Sequence, residues 1–258
     1  SIIIIHGPPG VGKTFLAASL DQKYPKTIPS QKMVKLNSLL WLSIDNGATD
    51  GFSESGLEVD AIDLRLAITE KGPLNGISFC LSALEKISSK YQYIVVDTVS
   101  MLDKILGEYW DTHCPTSSSG KRDTGAMWQS IASSHRRFHA RLSSLNNIVY
   151  LCHSKTISEY AQKDDGKADT KKRAEHSDTL ASIIPDVTGK SAQLYTGESS
   201  LEAALIIRRI GKERTRVLLP YGGNGFEGKS RFVIDDEVKN PNLGNIIEGF
   251  KKKAKRTV

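Results

Sequence analysis

The 258-residue sequence predicts an α/β fold with a mostly parallel central sheet and helices on both of its faces, on three observations. Short apolar runs rich in Ile, Val and Leu recur without a solvent-facing alternation, the mark of strands buried on both sides. Segments with apolar residues three and four apart separate these runs, as helical crossovers require. A glycine-rich turn joins the first run to the first such segment.

The first run, Ile2-Ile3-Ile4-Ile5, suits a buried strand because β-branched side chains pack well on a pleated surface. Gly7-Pro8-Pro9-Gly10-Val11-Gly12-Lys13-Thr14 follows and fits G-x-x-x-x-G-K-[ST] at every fixed position, between a strand and a helix. Gly10 and Gly12 can take backbone angles closed to other residues, which turns main-chain N–H groups inward around phosphate oxygens. Lys13 then places a point charge on the β/γ-phosphates, and Thr14 offers a hydroxyl to Mg²⁺. The helix beginning near Gly12 points its unpaired N–H groups at the same anion. These eight residues are the candidate nucleotide-binding loop; an accidental Gly/Pro turn is the weaker reading.

Phe15, Leu16, Ala17 and Leu20 continue a helix that Pro25 stops. After a polar connection, Leu39 to Ile44 reads as a second buried strand ending on Asp45, broken by Asn46-Gly47. Gly47 to Gly56 reads as a loop, and Leu57 to Leu66 alternates weakly as a short strand would. Ile77, Cys80, Leu81, Leu84 and Ile87 line one helix face. Tyr93-Ile94-Val95-Val96 is the third buried strand, with Asp97 at its end. An acid there is the usual partner of a phosphate loop, holding the metal directly or through water. The competing role for Asp97 is N-cap of the segment from Thr98.

A helix through Met101, Leu102, Ile105 and Leu106 ends near Asp111. A small-residue loop carrying Lys121 and Arg122 follows, then a long helix from Thr124. Ile148 to Cys152 forms a fourth strand with His153 just beyond it, placed to sense the γ-phosphate; a lone histidine is more often structural. Ser154 to Asp178 is the least globular stretch, with Lys155, Lys163, Lys167, Lys171, Lys172 and Arg173 among acids. Order resumes at Ile183-Ile184-Pro185, with a short helix over Gly189 to Tyr195. Glu202 to Ile210 and Arg216 to Leu219 form an antiparallel extension joined by Gly211-Lys212-Glu213-Arg214. Arg231 to Asp235 is the last strand. Asn240-Pro241 caps an amphipathic helix with Leu243, Ile246, Ile247 and Phe250, closed by a basic tail. The core is thus 1–236, and 237–258 is a terminal helix and tail.

Hydrophobic residues at 39% and charged residues at 25% are ordinary for a globular chain. The net charge of +6 suits an acidic partner, nucleic acid being the commonest, and equally a merely solvated basic surface, and charge alone does not separate the two. No run nears the ~20 apolar residues that span a bilayer, and no leader pattern stands at the N-terminus. The expectation is a cytoplasmic protein with no membrane partner, in the host cytoplasm if phage-encoded. Cys80, Cys114 and Cys152 are too few and scattered for a disulfide framework or zinc site.

Gly7 to Thr14, Ser43-Ile44-Asp45 with Asn46-Gly47, Val95-Val96-Asp97-Thr98, Leu151-Cys152-His153-Ser154-Lys155 and Lys212-x-Arg214-x-Arg216 together resemble the RecA-like ATPase core. In particular they look like the small phage-type group of RecA-like ATPases that includes single-strand annealing proteins. The resemblance covers roughly Ser1 to Leu219 and implies a RecA-like P-loop fold with ATP and Mg²⁺ as cofactors. It implies that the loops around Cys114 to Arg122 and Ser154 to Asp178 contact DNA, and that His153 couples the γ-phosphate to the second of them. Lys212 and Arg214 fall where a neighbouring subunit reaches the nucleotide, so a homo-oligomer, filament or ring, is expected. A cation supplied in trans would stabilise charge on the transferring phosphoryl group.

Two departures stand out. Gly47 occupies the place of the catalytic Glu two residues beyond Asp45, leaving Asp45, Asp50 or Glu54 to position water and implying slow hydrolysis. The first strand starts at Ile2, so subunit contacts are expected from elsewhere, the terminal helix included. The leading expectation is a Mg-ATP-dependent protein binding single-stranded DNA in recombination, annealing or repair, with a single-strand-binding protein as a further partner. Its catalytic residues are Lys13, Asp45, Asp97, His153, Lys212 and Arg214, its metal ligands Thr14 and Asp97. Its DNA contacts are Lys121, Arg122, Lys155, Lys163, Lys167, Lys171, Lys172 and Arg173. The alternatives are a nucleotide-gated loader or adaptor with little hydrolysis, and a metabolic P-loop enzyme.

Overall fold

The computed structural model describes residues 1–25, 33–45, 50–157, 182–210, 213–222, 227–231 and 234–254. Its strands are β1 (Ile2–Gly7), β2 (Val34–Ser43), β3 (Leu57–Asp63), β4 (Tyr93–Asp97), β5 (Asn147–Ile157), β6 (Ser182–Pro185), β7 (Leu201–Ile210), β8 (Glu213–Leu219), β9 (Lys229–Ser230) and β10 (Val238–Lys239). The helices are α1 (Lys13–Ala18), α2 (Asp50–Glu54), α3 (Leu64–Lys71), α4 (Pro73–Ile87), α5 (Val99–Thr112), α6 (Thr124–Ser143), α7 (Gly189–Glu198) and α8 (Leu243–Ala254).

The strands form one ten-stranded sheet in the order β10-β8-β7-β1-β5-β4-β2-β3, with β6 beside β5 and β9 beside β7. Every pairing from β7 to β3 is parallel, and β8, β10, β6 and β9 add antiparallel pairs. The architecture is therefore the α/β RecA-like P-loop fold with an antiparallel C-terminal extension. The period-2 pleat divides each apolar run between two layers. Ile4, Leu40, Leu42, Ile94, Val96 and Tyr150 pack under α3 to α7, while Ile3, Ile5, Trp41, Val95 and Leu151 pack under α1, Phe52 of α2 and Leu243 of α8.

Several elements depart from the sequence expectation. Helix α1 ends at Ala18, well short of Pro25. Strand β2 begins at Val34, five residues early, with its pairing to β3 irregular between Leu36 and Leu40. Within the expected 47–56 loop, Asp50–Glu54 is a short helix because Phe52 is buried edge-on against Trp41 and Phe15. The weak alternation stops at Asp63, whose carboxylate accepts from the Leu66 N–H and so starts α3. Of the strand expected over 231–235, Arg231, Ile234 and Asp235 lie outside any strand, Phe232 and Val233 lie outside the described residues, and two-residue strands β9 and β10 flank the segment. The terminal helix is capped by Asn242, whose side-chain oxygen accepts from the Asn245 N–H, in place of Asn240-Pro241.

His153 also sits elsewhere than expected. It lies inside β5, level with Gly7 of β1, because β5 runs on through the polar residues Ser154 to Thr156 to pair with β6.

Candidate active site

Strand order brings the site residues to one edge. Strand β5 alone separates β1, which ends in the glycine-rich turn, from β4, which ends in Asp97. Gly7 can form this close passage because it has no Cβ: one built there would meet the Leu205 carbonyl oxygen at 2.3 Å. Gly10 and Gly12 have φ of +73° and +97°, the left-handed region glycine enters without strain. A cavity of about 350 Å³ opens over this turn, lined by Pro9, Gly10, Gly12, Lys13 and Thr14 from the loop, by Asp45 just past β2, by Asp97 at the end of β4 and by His153 within β5. Val11 lies beneath, 3% exposed, as the apolar anchor that fixes the loop to the core.

Lys13 is buried at 7% exposure, and its ammonium donates to the carbonyls of Gly7 and Pro8, both at 2.9 Å. Burial pushes its pKa below the ordinary lysine value, against the attraction of Asp97. The Thr14 hydroxyl donates to Asp97 Oδ2 at 2.9 Å. Burial raises the Asp97 carboxyl to about 6, opposed by that hydrogen bond and by the Trp41 indole beneath it. Among the described residues the Trp41 Nε1 has no partner of good geometry, so it acts as a nearby positive dipole. The N-cap of α5 is Thr98, which accepts from the Met101 N–H at 3.2 Å, so Asp97 is left facing Thr14.

The N–H groups of Ile44 and Asp45 both donate to the Asp97 carbonyl, at 2.8 and 3.2 Å, which ties the end of β2 to the end of β4. Asp45 Oδ2 lies 3.8 Å from His153 Nε2. Burial depresses the His153 pKa, with Lys13 adding to the effect and Asp45 opposing it, so the ring is neutral near pH 7. Its Nδ1 is buried without a partner among the described residues, and its backbone N–H donates to Ser100 Oγ at 2.9 Å.

Other expected residues fall apart from this group. Arg214 is exposed near the start of β8, opposite Arg209, and does not line the cavity; Lys212 lies outside the described residues. Arg216, the third cation of that motif, does line it: a Cβ on Gly12 would come within 2.9 Å of its guanidinium. Strand period alone does not single it out, since Arg214, Arg216 and buried Leu218 share one face; Arg216 is the one next to the buried end of the strand. Lys121 and Arg122 are exposed on a hairpin closed by the Thr116–Arg122 bridge. Arg122 is paired with Asp111, and Lys155 donates to the Val187 carbonyl at 2.7 Å beside Asp186, so both expected DNA contacts are already engaged within the fold. Lys163, Lys167, Lys171, Lys172 and Arg173 lie outside the described residues.

The donor set fits a magnesium-bound nucleotide. Magnesium is ordinarily held by one or two oxygen side chains plus phosphates and waters, and Thr14 with Asp97 supply that share. Among the described residues no group of three or more His, Cys, Asp or Glu gathers to hold a metal unaided. A family model described as AAA domain matches residues 1–232. The chain belongs to the AAA domain family. At family level it is therefore a P-loop ATPase.

No curated protein sequence matches the chain. Among solved structures it is similar to the flagellar accessory protein FlaH from Methanocaldococcus jannaschii, at 11% identity over 95% of this chain and 87% of that one, TM-score 0.45. It is similar to a KaiC-like protein from Pyrococcus horikoshii OT3, at 10% identity over 93% and 89%, TM-score 0.43. The RadB recombinase aligns at 11% identity over 92% and 85%, TM-score 0.42. Among the described residues no helix is long and apolar enough to cross a membrane.

Proposed function

We propose that the chain is a Mg-ATP-dependent protein that hydrolyses ATP and binds single-stranded DNA, in recombination, annealing or repair of the phage type. The observation that carries the nucleotide half is the 2.9 Å hydrogen bond from Thr14 to Asp97, which joins the loop to the acid across one intervening strand. Lys13 exchanges the Gly7 and Pro8 carbonyls for phosphate oxygens. Thr14 and Asp97 hold magnesium, which neutralises charge on the phosphates when bound. Arg216 adds a cation from the same subunit, and Lys212 and Arg214 add theirs to a neighbour's site in a homo-oligomer. Asp45, the carboxylate left among the described cavity residues once Asp97 is engaged, orients the attacking water with neutral His153 beside it.

The DNA half is supported by the path of β5, which leaves His153 and leads within ten residues to Lys163 and the basic stretch ending at Arg173. Phosphate contacts of this kind give affinity without sequence preference and steep salt dependence. Anisotropy with labelled oligo-dT should show binding falling by about 300-fold between 50 and 200 mM salt if about six phosphates are engaged, at the single-strand slope of about −0.7 per phosphate. A flat salt response would remove DNA from the account.

Gly47, standing where the family has its catalytic glutamate, favours a second reading, a loader or adaptor in which ATP switches partners with little turnover. ATPase rates with and without DNA decide between them. DNA-stimulated turnover abolished by Lys13→Ala supports the first; tight Mg-ATP binding with no turnover supports the second.

A further inference from the structure

His153 stands at a seam in the sheet. Strand β5 pairs with β4 as far as Leu151, opposite Asp97, and with β6 from Ser154, opposite Pro185. Successive peptide groups of a strand point to opposite sides, so residue 153, two after Leu151, turns its N–H and carbonyl toward this same side. There one neighbour has ended and the next has barely begun. The carbonyl is met by the Asp186 N–H at 2.7 Å, one residue beyond β6. The N–H donates to no strand but to Ser100 Oγ, at 2.9 Å, in the first turn of α5.

Ser100 is buried, so without its oxygen an enclosed N–H would lose its partner and the end of β5 would have to shift to find another. The place of Ser100 is itself fixed. Val99 and Leu102 beside it lie in the core under the sheet, and Thr98 caps the helix directly after Asp97. The same helix grips the far side of the seam, since Asp103 Oδ2 accepts from the Thr188 N–H at 3.0 Å, two residues past Asp186. A cavity of about 250 Å³ lies in the notch between them, with Ser100, Lys104, His153 and Asp186 in its walls. The pleat sends the His153 ring to the face of Val149 and Leu151, toward the phosphate loop. Its Nε2 is 3.8 Å from Asp45 Oδ2, longer than a good hydrogen bond, and its Nδ1 has no partner among the described residues. The ring is therefore placed by its backbone, which Gly7 of β1 flanks on one side and Ser100 and Asp186 hold on the other.

We propose that Ser100 is a positioning residue for ATP hydrolysis: its hydroxyl takes the place of a sheet neighbour for His153 and so holds the imidazole beside Asp45 at the attacking water. The inference rests on the reading of Asp45 and His153 as the pair that orients that water. It gives one stretch of chain two tasks, since the helical turn that follows the metal acid Asp97 also sets the histidine. A misplacement of about 1 Å at such a pair is enough to cost about a hundredfold in rate. Nucleotide affinity, which comes from Lys13, Thr14 and the loop amides, is left alone.

Steady-state ATPase rates and calorimetric titration of the full chain with Mg-ATP test it. Ser100→Ala should lower kcat about tenfold or more, with the Mg-ATP Kd within about twofold of wild type. Ser100→Thr keeps the oxygen, and the cavity beside it has room for the methyl, so kcat should return to within about threefold of wild type. Ser100→Cys keeps the volume with a weaker acceptor and should fall between the two, which gives a result even if Ser100→Ala does not fold. His153→Ala alone should lower kcat. Adding Ser100→Ala to it should cost less than about twofold more, because a residue that acts through another has nothing left to position. Wild-type kcat in Ser100→Ala and Ser100→Cys, Ser100→Thr as slow as Ser100→Ala, or an equal loss with and without the histidine side chain would overturn the positioning role alone. Unchanged turnover in His153→Ala, or no turnover in the wild type, would overturn the reading of the pair and this proposal with it.

Discussion

Replacing Asp97 by asparagine should stabilise the nucleotide-free protein while removing its response to magnesium and nucleotide. The carboxyl is 4% exposed and its pKa is raised from 3.8 to about 6, so its ionised form is disfavoured in the folded chain. A rise of about two units corresponds to about 3 kcal/mol at 1.36 kcal/mol per unit. Since the folded pKa is the higher one, the penalty is absent below pH 3.8, grows up to about pH 6 and is constant above it. The amide mimics the protonated acid in shape and can still accept from Thr14. Asp97→Asn should therefore melt several degrees higher than the wild type at pH 8 in EDTA, at about 2–4 °C per kcal/mol for a chain of this size. The two should converge near pH 4. His6, whose pKa burial lowers to about 4, loses stability as pH falls, but it is common to both proteins and cancels. With Mg-ATP at a hundred times its Kd the wild type should gain about 2.7 kcal/mol, and the variant should lose the magnesium-dependent part. A variant that melts lower than wild type at pH 8, with the same offset at pH 4, would refute the reasoning.

Gly12→Ala should abolish nucleotide binding, because φ of +97° strains any side chain and the new methyl would sit 2.9 Å from the Arg216 guanidinium; titration with Mg-ATP checks it. Gly244→Ala should cost about 1–3 kcal/mol in chemical denaturation, since the methyl meets the Ser19 carbonyl at 2.7 Å and neither backbone can yield freely. Glu202 is 5% exposed on β7 with its carboxyl raised to about 7 by burial and by Glu227. Glu202→Gln should therefore raise the melting temperature at pH 9 and leave it nearly unchanged at pH 4.

The strands nearest the site were legible because an apolar run two layers deep has few other fates. Ile2 to Ile5, Tyr93 to Val96 and Ile148 to Cys152 all lie in the sheet, and the acid closing the second of these faces the loop as expected. The elements that escaped are those whose partners are remote in sequence. Helix α3 buries only Leu64 and Ala67, too little to overcome the strand-like alternation that precedes it, and its one local sign was Asp63 as a cap. Helix α2 exists because Phe52 finds Trp41 and Phe15, which no local pattern announces. The polar residues from His153 to Thr156 hide the second half of β5, whose hydrogen bonds go to β6 some thirty residues on. Arg216 was readable as a cation, but its place over Gly12 depends on β8 lying beside β7, which in turn lies beside β1.

The measurement that bears most directly on the account is calorimetric titration of the full chain with a non-hydrolysable ATP analogue, with and without magnesium. The account predicts one site per chain, weakened by omission of magnesium, by Thr14→Val and by Lys13→Ala. Absence of binding, or binding indifferent to magnesium and to all of these residues, would contradict it.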